Sequence, residues 1–314
     1  MASRDLAIGM IFLSQMIVGC LGNFFLLYHY SFLCFTRGAL QSTDLILMHL
    51  TVANSLVLLS KGIPQTMAAF GLKDSLSDTG CQLVFYVHRV GRGVCIGNTC
   101  LLSIFQAITI SPRELRWAQL KLHTLKYIGS SNILVMCWIL NMLVNVAVAL
   151  HVTGKWNSIN STKTSDYGYC SGRGRIPHLL NIVLLSLLDV LCLGLMTLAS
   201  LSHRAGPGST VFILLRHKRQ VQHIRGTNLS PRASPESRVT QSILVLVSTF
   251  VLFYSLSSIF ILHMSLFPNP SWWLVNTSAL ITACFPTVSL FVIMSRDPRI
   301  PRLDSACCGR NTVS

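Results

Sequence analysis

The sequence predicts an all-α membrane protein, a seven-transmembrane-helix bundle with its N-terminus outside and its C-terminus inside. Three observations carry that expectation. The chain is 51% apolar and only 11% charged over 314 residues, with a mean hydropathy of +0.57, a composition at odds with a water-soluble globule. Its apolar residues are gathered into runs of about 20 or more, the length a helix needs to cross roughly 30 Å of hydrocarbon. Its basic residues are shared unevenly among the breaks between those runs.

The runs cover approximately residues 6–30, 43–70, 81–110, 129–152, 178–200 (with continuation to 215 left open), 239–266 and 273–295. Residues 296–314 form a tail, and the whole of 1–314 reads as one domain. Lipid offers no partner to a bare backbone N–H or C=O, so each run is expected to be helical, including those that contain Pro64 and Pro286. The first run extends from about Leu6 to Leu27, too long for a signal-peptide core and without a convincing cleavage site, and it reads as a span. No internal repeat is evident.

Orientation follows from Lys and Arg. With the N-terminus outside, the inner segments hold sixteen of them: Arg37, the group Arg113, Arg116, Lys121 and Lys126, seven between the fifth and sixth runs, and four in the tail. The outer segments hold six. This positive-inside bias also accounts for the formal net charge of +15 without invoking nucleic acid. The basic string "RHKRQVQHIR" from Arg216 to Arg225 reads first as an anchor on anionic membrane lipid. The Ser/Pro-rich stretch from Gly226 to Ser237 reads as an inner loop.

Cysteines divide by topology. Cys20, Cys95, Cys100, Cys137, Cys192 and Cys284 lie inside apolar runs, where a thiol behaves as a small hydrophobe. Cys81, opening the third run, and Cys170, in the long second outer loop, fall on the oxidising side and are expected to form a disulfide. Asn160-Ser161-Thr162 in the same loop is a glycosylation sequon on that side. Cys307 and Cys308 follow the last run, outside any prenylation box, and are candidates for palmitoylation.

Four charges stand inside the runs: Lys61, Arg89, Arg92 and Asp189. An ionisable side chain near the bilayer centre costs about 2.5 to 3.5 kcal/mol on insertion scales, so each marks a candidate functional position. Arg89 and Arg92, with neighbouring His88, are spaced i, i+3, which places the two on roughly one face of the third helix. Arg92 and Asp189 each lie eleven residues into their runs, about 16 Å deep. Equal depth permits an ion pair, either bordering a ligand cavity or purely structural. No hydrolase, zincin or nucleotide-binding motif is present, so neither enzymatic activity nor a metal or cofactor is implied.

At this point a resemblance enters. Gly22-Asn23, "HLTVAN" from His49 to Asn54, the Cys81 and Cys170 pair and Trp138 resemble the skeleton of seven-helix G-protein-coupled receptors. The strings "STDLILMHLTVANSLVLLSKGIPQTMAAFG", "HRVGRGVCIGNTCLLSIFQAITISPR", "SPRASPESRVTQSILVLVSTFV" and "FPTVSLFVIMSRDPRIPRL" resemble type 1 vomeronasal receptors across nearly the whole chain. The resemblance implies a multi-pass plasma-membrane receptor for a small-molecule pheromone or odorant, coupled to a heterotrimeric G protein of the inhibitory class. Its cavity would lie in the outer half of the bundle, bordered by spans 2, 3, 5, 6 and 7, with Lys61, Arg89 and Arg92 in it. Two positions depart from the family's pattern: the insertion "LSHRAGP" from Leu201 to Pro207, and Leu290 where the family carries proline. They leave a non-signalling remnant as one alternative. A transporter is the other, since intramembrane charge also marks transport paths.

Overall fold

The computed structural model describes residues 3–38, 41–72, 76–110, 131–149, 152–154, 164–166, 170–173, 235–266 and 271–296. Among these are six helices: α1 (Ser3–Arg37), α2 (Ser42–Ala69), α3 (Asp78–Ile110), α4 (Ser131–Ala149), α5 (Pro235–Leu266) and α6 (Trp272–Arg296). They occupy the first four apolar runs and the last two. The fifth run, 178–200, and the insertion at 201–207 lie outside the described residues.

The helix ends are written in local chemistry. Ser77 caps α3: its Oγ accepts the Gly80 N–H at 3.2 Å and its carbonyl the Cys81 N–H at 2.9 Å, which fixes Cys81 on the first turn. Ser271 caps α6 in the same way, its Oγ accepting the Leu274 N–H at 3.4 Å. At the far end of α2, Gly71 takes φ +94°. Its N–H bonds the Ala68 carbonyl while the Leu72 N–H returns to Met67, the paired closure that a left-handed glycine makes possible.

Among the described residues, four helices are long and apolar enough to cross a membrane: Asp5–Thr36, Ser42–Ala69, Val245–Met264 and Trp272–Ser295. Outward faces are greasy both on these helices and on the shorter α4. On α1, Leu21, Phe24, Tyr28, Phe32 and Phe35 are exposed, and on α4 so are Leu140 and Leu143. Water would penalise such surfaces, whereas hydrocarbon does not.

The inward faces meet in one core, built around Leu26, Tyr30, Ile46, Leu50, Phe250 and Phe285. Phe250, Tyr254 and Phe285 form an aromatic trio, with centroids 4.3 Å apart for Phe250 and Tyr254 and 4.8 Å for Phe250 and Phe285. Pro64 and Pro286 sit within continuous helices. Leu290 is seated in the core, against Gly22 of α1, so helix α6 runs through that position without interruption.

The expectation of an all-helical chain needs one addition. Three short strands, β1 (Val152–Gly154), β2 (Thr164–Asp166) and β3 (Cys170–Arg173), make an antiparallel sheet in the order β1-β3-β2. Gly154 pairs with Cys170 and Asp166 with Ser171. The physical reason is that backbone outside a helix still needs partners, and strands supply them to a loop held near the bundle. What holds it is the Cys81–Cys170 disulfide, whose two residues are fully buried beside Ala68, Leu76, Val84 and Phe85.

Candidate functional site

Inside the disulfide-bearing half of the bundle the apolar core gives way to a polar cluster. Arg92 on α3, 7% exposed, is its centre. Its two terminal nitrogens donate to Ser257 Oγ at 2.8 Å and Ser258 Oγ at 2.7 Å, both on α5. The guanidinium lies over the Tyr254 ring, 4.9 Å from its centroid, where the ring's negative face favours a cation. A planar fork suits this arrangement: two adjacent hydroxyls accept while the apolar stem stays within the helix packing.

Lys61 on α2 approaches the same cluster from the other side. Its Nζ donates to Thr282 Oγ1 of α6 at 3.4 Å, and Thr282 Oγ1 lies 2.9 Å from Ser257 Oγ. Arg89 turns elsewhere: its Nε donates to Asn145 Oδ1 of α4 at 3.0 Å. The i, i+3 spacing thus points both arginines inward but delivers them to different neighbours, one to α4 and one to α5. His88 Nδ1 lies 3.5 Å from Ser60 Oγ, and Gln65 Nε2 donates to Asn276 Oδ1 at 2.9 Å, adding contacts from α2 to α3 and α6.

The structure therefore brings Lys61 and Arg92 into one network and sets Arg89 beside it. Asp189, Asn160, Cys307 and Cys308 lie outside the described residues, as does any pairing of Arg92 with Asp189. Ser257, Ser258, Thr282, Gln65, Asn276 and Asn145 were not singled out from sequence. Their signal was available: polar side chains inside apolar runs tend to face other helices rather than lipid. Uncharged residues of this kind are numerous in the chain, and nothing in the sequence ranks Ser257 above the others.

Lys61 also borders a crevice between α1, α2 and α6, lined by Phe12, Gln15, Met16, Leu58 and Gln65 among others, with room for roughly one water molecule. This crevice lies on a different side of Lys61 from the cavity expected between spans 2, 3, 5, 6 and 7.

Below the cluster the skeleton residues tie the helices together. Asn23 Nδ2 donates to the Pro286 carbonyl at 3.1 Å, joining α1 to α6. Asn54 Nδ2 donates to Ser289 Oγ at 3.0 Å and its Oδ1 accepts from Cys95 Sγ at 3.2 Å, joining α2 to α6 and α3. Trp138 Nε1 donates to His49 Nδ1 at 3.0 Å, joining α4 to α2.

Greasy outer faces, a tied helical core and a cationic cluster between the helices define an integral membrane protein with an internal polar site. Comparison with known sequences gives the class a family. The profile of the vomeronasal organ pheromone receptor family matches residues 6–306, and the chain belongs to that family. It is 79% identical over 313 residues to human vomeronasal type-1 receptor 3, covering 99% of this chain and 97% of that one. It is 58% identical over 305 residues to human vomeronasal type-1 receptor 4, covering 96% and 98%. At greater distance, it is 29% identical over 302 residues to zebrafish (Danio rerio) olfactory receptor class A-like protein 1, covering 93% and 90%. The family is one of receptors, not of enzymes.

Proposed function

We propose that the chain is a seven-span receptor of the plasma membrane that senses a small-molecule pheromone or odorant and signals to a heterotrimeric G protein of the inhibitory class. Residues 178–200 supply the span between α4 and α5, the N-terminus faces outside and the tail faces inside, as the distribution of Lys and Arg favours. Asn160 then carries the outer glycan, and Cys307 and Cys308 carry acyl chains on the inner leaflet.

One observation carries the reading: two cations, Lys61 and Arg92, lie between helices of a largely apolar bundle, where they donate to the hydroxyls of Ser257, Ser258 and Thr282. An oxygen of the ligand, entering beside Lys61, Arg89, Arg92 and Asp189, accepts charge-assisted hydrogen bonds from the three cations. Response requires no bond chemistry, because a ligand that binds one helix arrangement more tightly shifts the population toward it.

The test is a cellular signalling assay against a panel of volatile and steroid-like compounds. A compound that activates cells displaying the wild-type chain, and fails on cells displaying Arg92→Met at equal surface density, supports the reading. Uptake of a solute into vesicles free of G protein, abolished by Arg92→Met, would instead establish the transporter alternative.

A further inference from the structure

The hydrogen-bond chain between Lys61 and Arg92 has a definite direction. Thr282 Oγ1 donates its single proton to the Ser278 carbonyl at 2.7 Å. It is then an acceptor toward both Lys61 Nζ and Ser257 Oγ. Ser257 Oγ must in turn donate to Thr282, and it accepts from Arg92. Each hydroxyl proton is assigned: Arg92 donates to Ser257, Ser257 to Thr282 and Thr282 to a main-chain carbonyl, with Lys61 joining at Thr282. Ser257, Thr282 and Ser278 are each no more than 5% exposed, so water does not replace a lost member at little cost.

The chain crosses four helices, α3 to α5 to α6, with α2 entering at Thr282. It ties α5 to α6 through polar groups in the disulfide-bearing half, and it has a charged group at each end. We propose that Ser257 and Thr282 are positioning residues that couple Lys61 to Arg92, locking α5 to α6 in the unliganded protein. Withdrawal of either cation by an acceptor on the ligand removes a donor from one end and loosens the tie at the other. The coupling is a property of the fold; its use in signalling rests on the receptor reading above.

The coupling makes Ser257 and Thr282 one unit. Interhelical hydrogen bonds in membranes contribute about 0.6 to 1.7 kcal/mol, so breaking the unit shifts its equilibrium about 3- to 18-fold. The experiment uses the full chain as wild type, Ser257→Ala, Thr282→Val, the double variant, and the hydroxyl-retaining Ser257→Thr and Thr282→Ser. Ligand-independent signalling in cells at matched surface density is expected to rise by that factor in each hydroxyl-less variant. The double variant is expected to rise no further than the stronger single, and the hydroxyl-retaining variants to return toward wild type.

Equilibrium unfolding of the same proteins in lipid nanodiscs supplies a second readout, with losses in the single variants that do not add in the double. Additive losses overturn the coupling whether or not any protein signals. Unchanged ligand-independent signalling in Ser257→Ala and Thr282→Val, in cells where the wild type responds to a compound, overturns the lock. Non-additive losses with no signalling from any protein support the coupling and count against the receptor reading alone.

Discussion

Removing the Cys81–Cys170 bridge should cost about 3 kcal/mol, and the structure sets that figure. The two residues are 89 apart in sequence, and the loop-entropy relation for a fully unfolded chain gives about 4.6 kcal/mol for that length. A membrane protein does not unfold so far, because helices left in lipid keep their backbone bonds. With α3 and α4 still formed and packed on each other, the segment closed by the bridge runs only from Ala149 to Cys170, about 20 residues, for which the same relation gives about 3.3 kcal/mol.

The assay is unfolding of the full chain in mixed micelles, followed by tryptophan fluorescence, for wild type, Cys81→Ser, Cys170→Ser and the double serine variant. All three variants should lose about 3 kcal/mol, roughly a 150-fold change in the folding equilibrium, and reduction of the wild type should reproduce it. A loss near 4.6 kcal/mol would show that α3 and α4 leave the membrane on unfolding. A double variant as stable as wild type, or one that reduction weakens further, would refute the reasoning.

Two other substitutions have effects of opposite sign. A Cβ added at Gly97 of α3 meets Cys137 Sγ of α4, so Gly97→Leu should destabilise by about 1 to 3 kcal/mol, with partial recovery when Cys137→Ala is added. Thermal unfolding of the pair checks both statements. Asn98 is fully buried, and among the described residues neither of its amide atoms finds a hydrogen-bond partner. Asn98→Leu should therefore stabilise by about 1 to 3 kcal/mol in the same assay, and a loss would show that the amide is satisfied by something such as an internal water.

The six described helices were legible because hydrocarbon imposes a simple demand, a long apolar run with every backbone group paired within it. The caps at Ser77 and Ser271, and the left-handed glycine at Gly71, are equally local but were not singled out from sequence. Lys61, Arg89 and Arg92 stood out because charge is rare in such runs. Their partners did not, since whether Arg92 meets Ser257 or Asn145 depends on helix rotation and tilt, which packing determines. The strands escaped notice for another reason. Val152–Gly154, Thr164–Asp166 and Cys170–Arg173 have no alternating pattern, and they pair because the disulfide gathers them.

The glycines of α3 divide the bundle mechanically. Gly91 lies against Ala53, Leu56 and Val57 of α2, while Gly93 and Gly97 face Asn141 and Cys137 of α4 without room for a methyl group. Such close approach leaves little slack to slide or roll, and α2, α3 and α4 are expected to move as a unit. Between α5 and α6 the packing of Phe250 and Tyr254 on Phe285 is joined by the hydroxyl pair of Ser257 and Thr282, which can exchange partners without opening a void. Rearrangement of the bundle is therefore expected on the α5 and α6 side, with the glycine-joined trio as its fixed frame.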